Sequence, residues 1–376
     1  MVPLKIGIVC YPTVGGSGIV ATELGKHLAL RGHEIHFICS DVPFRLKEFH
    51  ENIFYHGVET PLYPLFTEAP YFLSHTNKVA EVARLEGLDI IHAHYAIPHA
   101  TSAYLAKMML GGDKPRIVTT LHGTDITLLG SEPSFADIIA FSINFSDGVT
   151  AVSESLRRDT YRALPVKAEI STIPNFLDCE IHRRVPAAGI RERFARPQEK
   201  VVIHMSNFRA VKRVDTVVRV FARIAAEVPA QLLMIGDGPE RSRAQQLVAS
   251  LGLCGRVHFL GNQESVIELL STGDLFLLPS TIESFGLAAL EAMACEVPVV
   301  ASNIGGLPEV IVEGATGHLL PPDDADGMAA AGIRVLSDGD LHAQMAGAAR
   351  ARVLGSFCAD KIVPMYEAYY RKVLEK

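Results

Sequence analysis

Short apolar runs alternate with longer segments of helical period along the whole chain, and the alternation runs through twice. In the first half the runs are Lys5–Cys10, Glu34–Ser40, Asp89–Ala93, Arg116–Leu121, Gly148–Val152 and Glu169–Ile173. Helix-like stretches such as Ser17–Arg31, Phe72–Glu86 and Pro98–Leu110 separate them. Strands that are apolar at nearly every position are covered on both faces, the condition of a parallel sheet joined by crossover helices. The pattern restarts with Lys200–Met205, Gln231–Gly236, Arg256–Leu260, Asp274–Leu278 and Pro298–Ala301. Helical segments Val214–Glu227, Pro239–Leu251 and Ser284–Ala294 lie between these runs.

A chain of 376 residues exceeds what one core usually supports, so the two strand sets predict two domains. The expected boundaries are 1–175 for the first and 176–356 for the second. Residues Asp178–Gln198, rich in charge, Pro and Gly, read as a linker plus a short insertion. The last segment carries Ile362, Met365, Tyr366, Tyr369 and Tyr370 at helical spacing, and a helix over 357–376 is expected to pack back on the first domain. The predicted class is α/β, with two Rossmann-like, doubly wound parallel sheets. Facing each other, such sheets gather their strand C-terminal ends, and so their binding crevices, around a central cleft.

Composition narrows the function classes. Hydrophobic residues make up 48% and charged residues 20%, the balance of a globular enzyme. A net charge of −7 with no Lys/Arg stripe argues against nucleic acid as a partner. No apolar run approaches the roughly 20 residues of a spanning helix. The start, Met1-Val2-Pro3-Leu4-Lys5, has no signal-peptide pattern, and the six cysteines are scattered without a Cys-x-x-Cys pair. Reduced thiols in a cytoplasmic protein are the expectation.

Two regions carry candidate chemistry. After the first strand comes Tyr11-Pro12-Thr13-Val14-Gly15-Gly16-Ser17-Gly18-Ile19-Val20-Ala21. Glycines let backbone approach a phosphate, and a helix N-terminus offers unpaired N–H groups. Residues 16–21 also fit the G-x-G-x-x-A dinucleotide fingerprint, with Asp41 ending the next strand, so an NAD-dependent dehydrogenase stays open here. In the second half, Asn207, Arg209, Lys212 and Arg213 follow a strand end, where cations can clamp a diphosphate. Gly236-Asp237-Gly238-Pro239 closes another strand. The most specific block is Pro279–Ala294, in which Glu283 and Glu291 stand eight residues apart around a helix start. If Glu291 lies two turns in, the carboxylates are roughly 10 Å apart along the axis. Such a pair suits hydroxyls at two ends of one ligand, such as a hexose and a ribose joined by a diphosphate. The plainer reading makes Glu283 a charge at the helix start and Glu291 a surface residue.

With its Glu-x7-Glu block and Gly-Gly loop, the chain resembles the retaining glycosyltransferase family four, of GT-B fold, essentially end to end. The segments Cys10–Glu23, Gly32–Phe37 with Pro43–Leu46, His92–His99, Thr119–Leu128 and Ser206–Val214 are similar to the branch that glycosylates L-malate on the route to bacillithiol. The resemblance implies transfer of N-acetylglucosamine from UDP-GlcNAc to the malate hydroxyl. It places Gly15 and Gly16 against the diphosphate and sugar, with Lys212 and Arg209 on the leaving phosphate. Glu291 falls on the ribose, Glu283 on the sugar hydroxyls, and His122 beside the sugar. His122, Lys212 and Glu283 are thus the catalytic candidates, and Asn207, Gly238, Phe285 and Gly286 complete the donor set. A dicarboxylate acceptor calls for cations and hydroxyls, for which Arg45, Lys47, Tyr95, Thr119 and Arg213 are the candidates.

The chain departs from the family at Ser206-Asn207, where many members have Gly-Arg, and at Glu296, where they usually have Gly. No metal or cofactor is expected. Asp324-Ala325-Asp326 reads as a helix cap and His92 with His94 as strand packing, so activity should survive chelators. Small molecules are the expected partners, a homo-oligomer stays open, and no membrane partner is implied. The alternatives are a sister transferase with a lipid or sugar acceptor, the dehydrogenase, and a non-catalytic nucleotide-sugar sensor.

Overall fold

The computed structural model describes residues 2–13, 15–46, 49–61, 70–130 and 132–376. The chain divides into two units, Met1–Phe176 with Ala359–Lys376, and Leu177–Cys358.

The first unit contains β1 (Lys5–Val9), β2 (Glu34–Cys39), β3 (Ile53–Gly57), β4 (Ile90–His94), β5 (Arg116–Leu121), β6 (Gly148–Ala151) and β7 (Ile170–Thr172). They form one sheet in the order β3-β2-β1-β4-β5-β6-β7, parallel throughout. Its principal helices are α1 (Gly16–Leu30), α2 (Tyr71–Glu86), α3 (Thr101–Leu110), α4 (Pro133–Asn144) and α5 (Glu154–Ala163). Alternate residues of the strands serve opposite faces. Val9, Ile38, Ile91 and Ala93 pack with Val79, Ala80 and Ala83 of α2 and Ala103 of α3. Ile8 and Phe37 meet α1, where a Cβ on Gly25 would lie 2.5 Å from the Phe37 ring.

The second unit contains β8 (Lys200–Met205), β9 (Ala230–Ile235), β10 (Val257–Gly261), β11 (Leu275–Leu278), β12 (Val299–Ser302) and β13 (Gly317–Leu320). They are ordered β10-β9-β8-β11-β12-β13, again parallel. Its longer helices are α6 (Val214–Glu227), α7 (Arg241–Ser250), α8 (Leu287–Ala294), α9 (Ala325–Ser337) and α10 (Gly339–Ser356). Val217, Phe221 and Ile224 of α6 pack with Leu232, Leu275 and Met328 as the core of one face. The two doubly wound parallel sheets make this the α/β, Rossmann-like class that the alternation predicts.

The closing helix, α11 (Ala359–Leu374), belongs to the first unit. Its Tyr370 hydroxyl meets His92 Nδ1 at 2.7 Å, and Tyr369 accepts from the Val149 N–H at 2.8 Å. Glu367 takes Arg31 at 2.8 Å and His33 at 2.9 Å. Of the aromatic and aliphatic stripe, Ile362, Tyr366 and Tyr370 are buried, whereas Met365 faces solvent. No helix among the described residues is long and apolar enough to cross a membrane.

Several local readings need correction. The strands β3 and β13 escape the apolar-run pattern because His56 with Gly57 and Gly317 with His318 cut their apolar runs short; Phe54 and Tyr55 of β3 are exposed. The segment read as a helix over Pro98–Leu110 is helical from Thr101, preceded by an irregular turn at Ala96–Ala100. The helix carrying Glu291 starts at Leu287 rather than Ser284, because Gly286 stands before it with φ +102. Glu291 is therefore little more than one turn in. Residues 178–198 are held within the second unit, where Arg191 pairs with Asp274 at 2.8 Å. Glu296 takes φ +59 just beyond α8, the conformation for which glycine is favoured there.

The thiol reading is corrected as well. Cys179 and Cys358 form a disulfide with Cα atoms 5.5 Å apart, while Cys10, Cys39, Cys254 and Cys295 are free. The pair escapes sequence inspection because its partners are 179 residues apart. Leu177 N–H donates to Phe357 O at 2.9 Å beside it, so the bond ties together the two ends of the second unit. Closing a loop of that length removes much unfolded-chain entropy. Cys179→Ser is predicted to destabilise the second unit by ~2–5 kcal/mol under oxidising conditions. Urea unfolding with and without reductant reads this; identical midpoints for wild type and variant under oxidising conditions would contradict it.

Candidate functional site

In an open parallel sheet the ligand crevice lies where the strand order reverses, because neighbouring strands send their connections to opposite faces. In the first sheet this point is β1/β4. The connection after β1 ends at Gly15, which precedes the first helical residue Gly16 with extended backbone at φ −137. The opening turn of α1 thus presents free N–H groups. The steric demand for glycine falls on Gly18, which the sequence reading did not single out. A Cβ there would lie 2.6 Å from Tyr11 O and 2.8 Å from Thr13 O.

Tyr95 follows β4 with φ +88, a region that non-glycine residues seldom occupy. Its ring lies 5.7 Å from that of Tyr11 and 5.3 Å from that of His122, which follows β5. The structure therefore brings the β1 loop, Tyr95 and His122 together at the switch point. Behind them stands a cluster of imidazoles. His122 Nε2 faces His94 Nδ1 at 2.8 Å, and His99 Nδ1 is 2.7 Å from His94 O. His92 is spent on Thr120 and Tyr370, both at 2.7 Å. Burial pulls the pKa of His92, His99 and His122 down to about 3 and that of His75 to about 4, and lowers that of His94 too. Asp125 is buried beside them and accepts from Ala96 N–H at 3.1 Å and Gly123 N–H at 2.9 Å. Burial raises its carboxyl to about 6 against the pull of those bonds. Asp125 lay within a matched sequence segment, but nothing in its spacing marked it, and His94 was read with His92 only as strand packing.

The acceptor candidates fare unevenly. Arg45 sits in a left-handed turn with φ +71, its guanidinium 5.9 Å from the Phe44 ring centroid. Lys47 lies outside the described residues. Thr119 is not placed for ligand contact: it is fully buried on β5 with its hydroxyl on Ser146 Oγ at 2.8 Å. Arg213 belongs to the second unit, paired with Asp323 at 3.1 Å.

In the second sheet the order reverses at β8/β11. The connections after these strands carry Lys212 and Glu283, which meet at 2.6 Å with both side chains largely buried. Thr281 N–H donates to Val211 O at 2.8 Å and fastens the same two loops. Ser280 Oγ lies 3.5 Å from the same Glu283 oxygen. Asn207 and Arg209 stand exposed on the first of these loops. Gly238 is required by close approach, since a Cβ would lie 2.1 Å from Asn207 O. Gly305 and Gly306, which sequence inspection passed over, hold the Glu283 loop from the other side. Their Cβ atoms would lie 1.9 Å from Glu283 O and 2.3 Å from Ser284 O. The signal available for them was a glycine pair just after a strand.

Phe285 offers no ring to a ligand, because it is buried against Phe357 at 5.8 Å. Gly286 has φ +102 and packs so closely that a Cβ would meet Leu307 at 2.6 Å. Glu291 is buried in α8, which removes the surface reading, and its Oε1 lies 3.7 Å from His182 Nε2. Arg350 positions that histidine by donating to the carbonyls of His182 at 2.6 Å, Cys179 at 3.0 Å and Ala294 at 3.2 Å. His182 was hidden in a segment without periodicity. Asp324 is a helix cap, its carboxylate accepting from Gly327 N–H at 2.7 Å.

A family model described as Glycosyltransferase Family 4 matches residues 14–181, and one described as Glycosyl transferases group 1 matches residues 189–352. The chain is 51% identical to N-acetyl-alpha-D-glucosaminyl L-malate synthase of Bacillus anthracis, covering 99% of this chain and 97% of that one. It is 29% identical to D-inositol 3-phosphate glycosyltransferase of Stackebrandtia nassauensis over 76% of this chain and 70% of that one. Among solved structures, sucrose-phosphate synthase from Thermosynechococcus elongatus superposes with a TM-score of 0.82 at 23% identity, covering 99% of both chains. Anabaena HepE in complex with UDP and glucose gives a TM-score of 0.83 at 22% identity, over 97% of this chain and 99% of that one.

The buried imidazoles predict a pH response. A histidine whose folded pKa lies below its unfolded value contributes stability above about pH 6.5 that is lost as pH falls toward the folded value. Protonating a site held at about 3 or 4, such as His92, His99 or His75, costs on the order of 3 kcal/mol. Asp125, with its pKa raised to about 6, acts in the opposite sense, losing its contribution as pH rises through that value. It is one group against several. Stability is therefore predicted to fall steeply from pH 6.5 to pH 4, read by denaturant midpoints; a flat profile across that window would refute the assignment.

Proposed function

The chain belongs to glycosyltransferase family 4, and from that premise we propose that it transfers N-acetylglucosamine from UDP-GlcNAc to the hydroxyl of L-malate. The product is GlcNAc-malate, a precursor of bacillithiol, and the anomeric configuration is retained. The observation that carries this reading is the 51% identity, nearly end to end, with a GlcNAc-malate synthase. Family membership also removes the dehydrogenase reading of the glycine fingerprint.

In this account the glycosidic C1–O bond to the β-phosphate breaks while the malate hydroxyl oxygen bonds to C1 on the same face. The hydroxyl proton passes to the departing phosphate oxygen. Negative charge therefore grows on the phosphate, and donors already in position lower the barrier most. Lys212 and Arg209 supply cations to it. Asn207 and Gly238 line the diphosphate path. Lys212 is already bound to Glu283 at 2.6 Å, so the phosphate takes Lys212 from a carboxylate that is then available to sugar hydroxyls. Glu291 holds the ribose from within α8. His122 is neutral near pH 7, since its pKa sits at about 3, so it offers the sugar a hydrogen bond without adding charge.

Malate brings two carboxylates, for which Arg45 supplies charge and Tyr95 a hydroxyl. No step requires a metal, and the reaction is placed in the cytoplasm, where the Cys179–Cys358 bond would be under reducing pressure. UDP release from UDP-GlcNAc is predicted to depend on L-malate, to persist in EDTA, and to fall at least 100-fold in Lys212→Ala, about 2.7 kcal/mol in the barrier. Binding without malate-dependent release would mark a sensor, and release with sugar phosphates but not malate a sister transferase.

A further inference from the structure

Outside the region proposed for transfer, three elements of the first unit bring metal-ligating groups together. His36 on β2, His56 on β3 and Glu86 at the end of α2 each offer an atom, all within 4.8 Å of one another. The register pairs His36 with Phe54 and Ile38 with His56, so the two histidines are diagonal neighbours on one face. His36 Nδ1 faces His56 Nε2 at 2.9 Å. The other nitrogen of His36, Nε2, lies 3.0 Å from Glu34 Oε1, and Phe54 stacks on the same ring at 5.1 Å. Glu34 is in turn held by Lys5 at 2.7 Å.

We propose that His36 Nδ1, His56 Nε2 and the Glu86 carboxylate bind one Zn²⁺ ion, with water as the fourth ligand. Two imidazoles and a carboxylate with an open position make a known donor set for tetrahedral zinc. A carboxylate behind a ligating histidine fixes its tautomer and turns the free lone pair toward the ion, and Glu34 is in place to do this for His36. His36 is buried and preset, whereas His56 and Glu86 are only half-buried, which leaves the ion a way in. None of these residues follows the C-terminal end of a sheet strand, so the site is separate from the chemistry proposed above. Bound there, zinc would fasten the edge strand β3 and the end of α2 to β2.

The test titrates ZnCl₂ into full-length, tag-free, chelator-stripped enzyme by calorimetry at neutral pH. Because His36 is buried and its replacement risks misfolding, the variants are His56→Gln, Glu86→Gln and Glu34→Gln. The wild type should bind one Zn²⁺ per chain, and His56→Gln and Glu86→Gln should weaken binding at least 100-fold. Glu34→Gln should weaken it about 10- to 100-fold. Co²⁺ in place of Zn²⁺ should give the visible absorption of a tetrahedral site in the wild type and not in His56→Gln or Glu86→Gln. No stoichiometric binding by the wild type, or wild-type affinity in His56→Gln, would overturn the proposal. Malate-dependent UDP release is read separately, so failure here leaves the transferase reading standing.

Discussion

Lys212 and Glu283 come from loops on either side of the point where the second sheet reverses its strand order, and they meet at 2.6 Å. Much of that unit serves the contact. β8 and β11 are neighbours, so their C-terminal connections emerge side by side with opposite destinations. The Thr281 to Val211 hydrogen bond fixes the loops to each other, and Gly305 and Gly306 let the next loop press against the Glu283 backbone. A carboxylate and an ammonium brought together with little water are a poised arrangement rather than a stabilising one. A dianionic ligand that takes the lysine leaves the carboxylate free to accept from hydroxyls, which are what a sugar offers.

The first unit solves a different problem. Its switch point is lined by neutral polar groups (Tyr11, Tyr95, His122) and backed by imidazoles that burial keeps uncharged. An uncharged but hydrogen-bonding wall suits a sugar. The cost is acid sensitivity, since each of those imidazoles must be solvated if it is to ionise. Tyr95 at φ +88 and Arg45 at φ +71 hold backbone conformations that the surrounding packing must enforce.

Sequence periodicity was enough for the two parallel sheets because central strands buried on both faces leave unbroken apolar runs. It failed at β3 and β13, where His56 and His318 interrupt apolar runs that are already short. The positions of Lys212 and Glu283 beside strand ends were legible because order along the chain fixes which strand end they follow, whereas His122 came only from the family resemblance. Thr119 and Phe285 misled because exposure depends on which face a residue meets, and one position in either direction changes that. The Cys179–Cys358 bond, His182 beside Glu291, and the His36–His56–Glu86 cluster depend on contacts between distant segments, which spacing along the chain does not encode.

The central claim is that the Lys212–Glu283 pair is the donor site, with the carboxylate reading the sugar. Calorimetric titration of Glu283→Gln with UDP and with UDP-GlcNAc tests it most directly. The account predicts that UDP binds within about threefold of wild type, while UDP-GlcNAc loses at least tenfold, about 1.4 kcal/mol. Unchanged affinity for UDP-GlcNAc, or equal losses for both ligands, would contradict it.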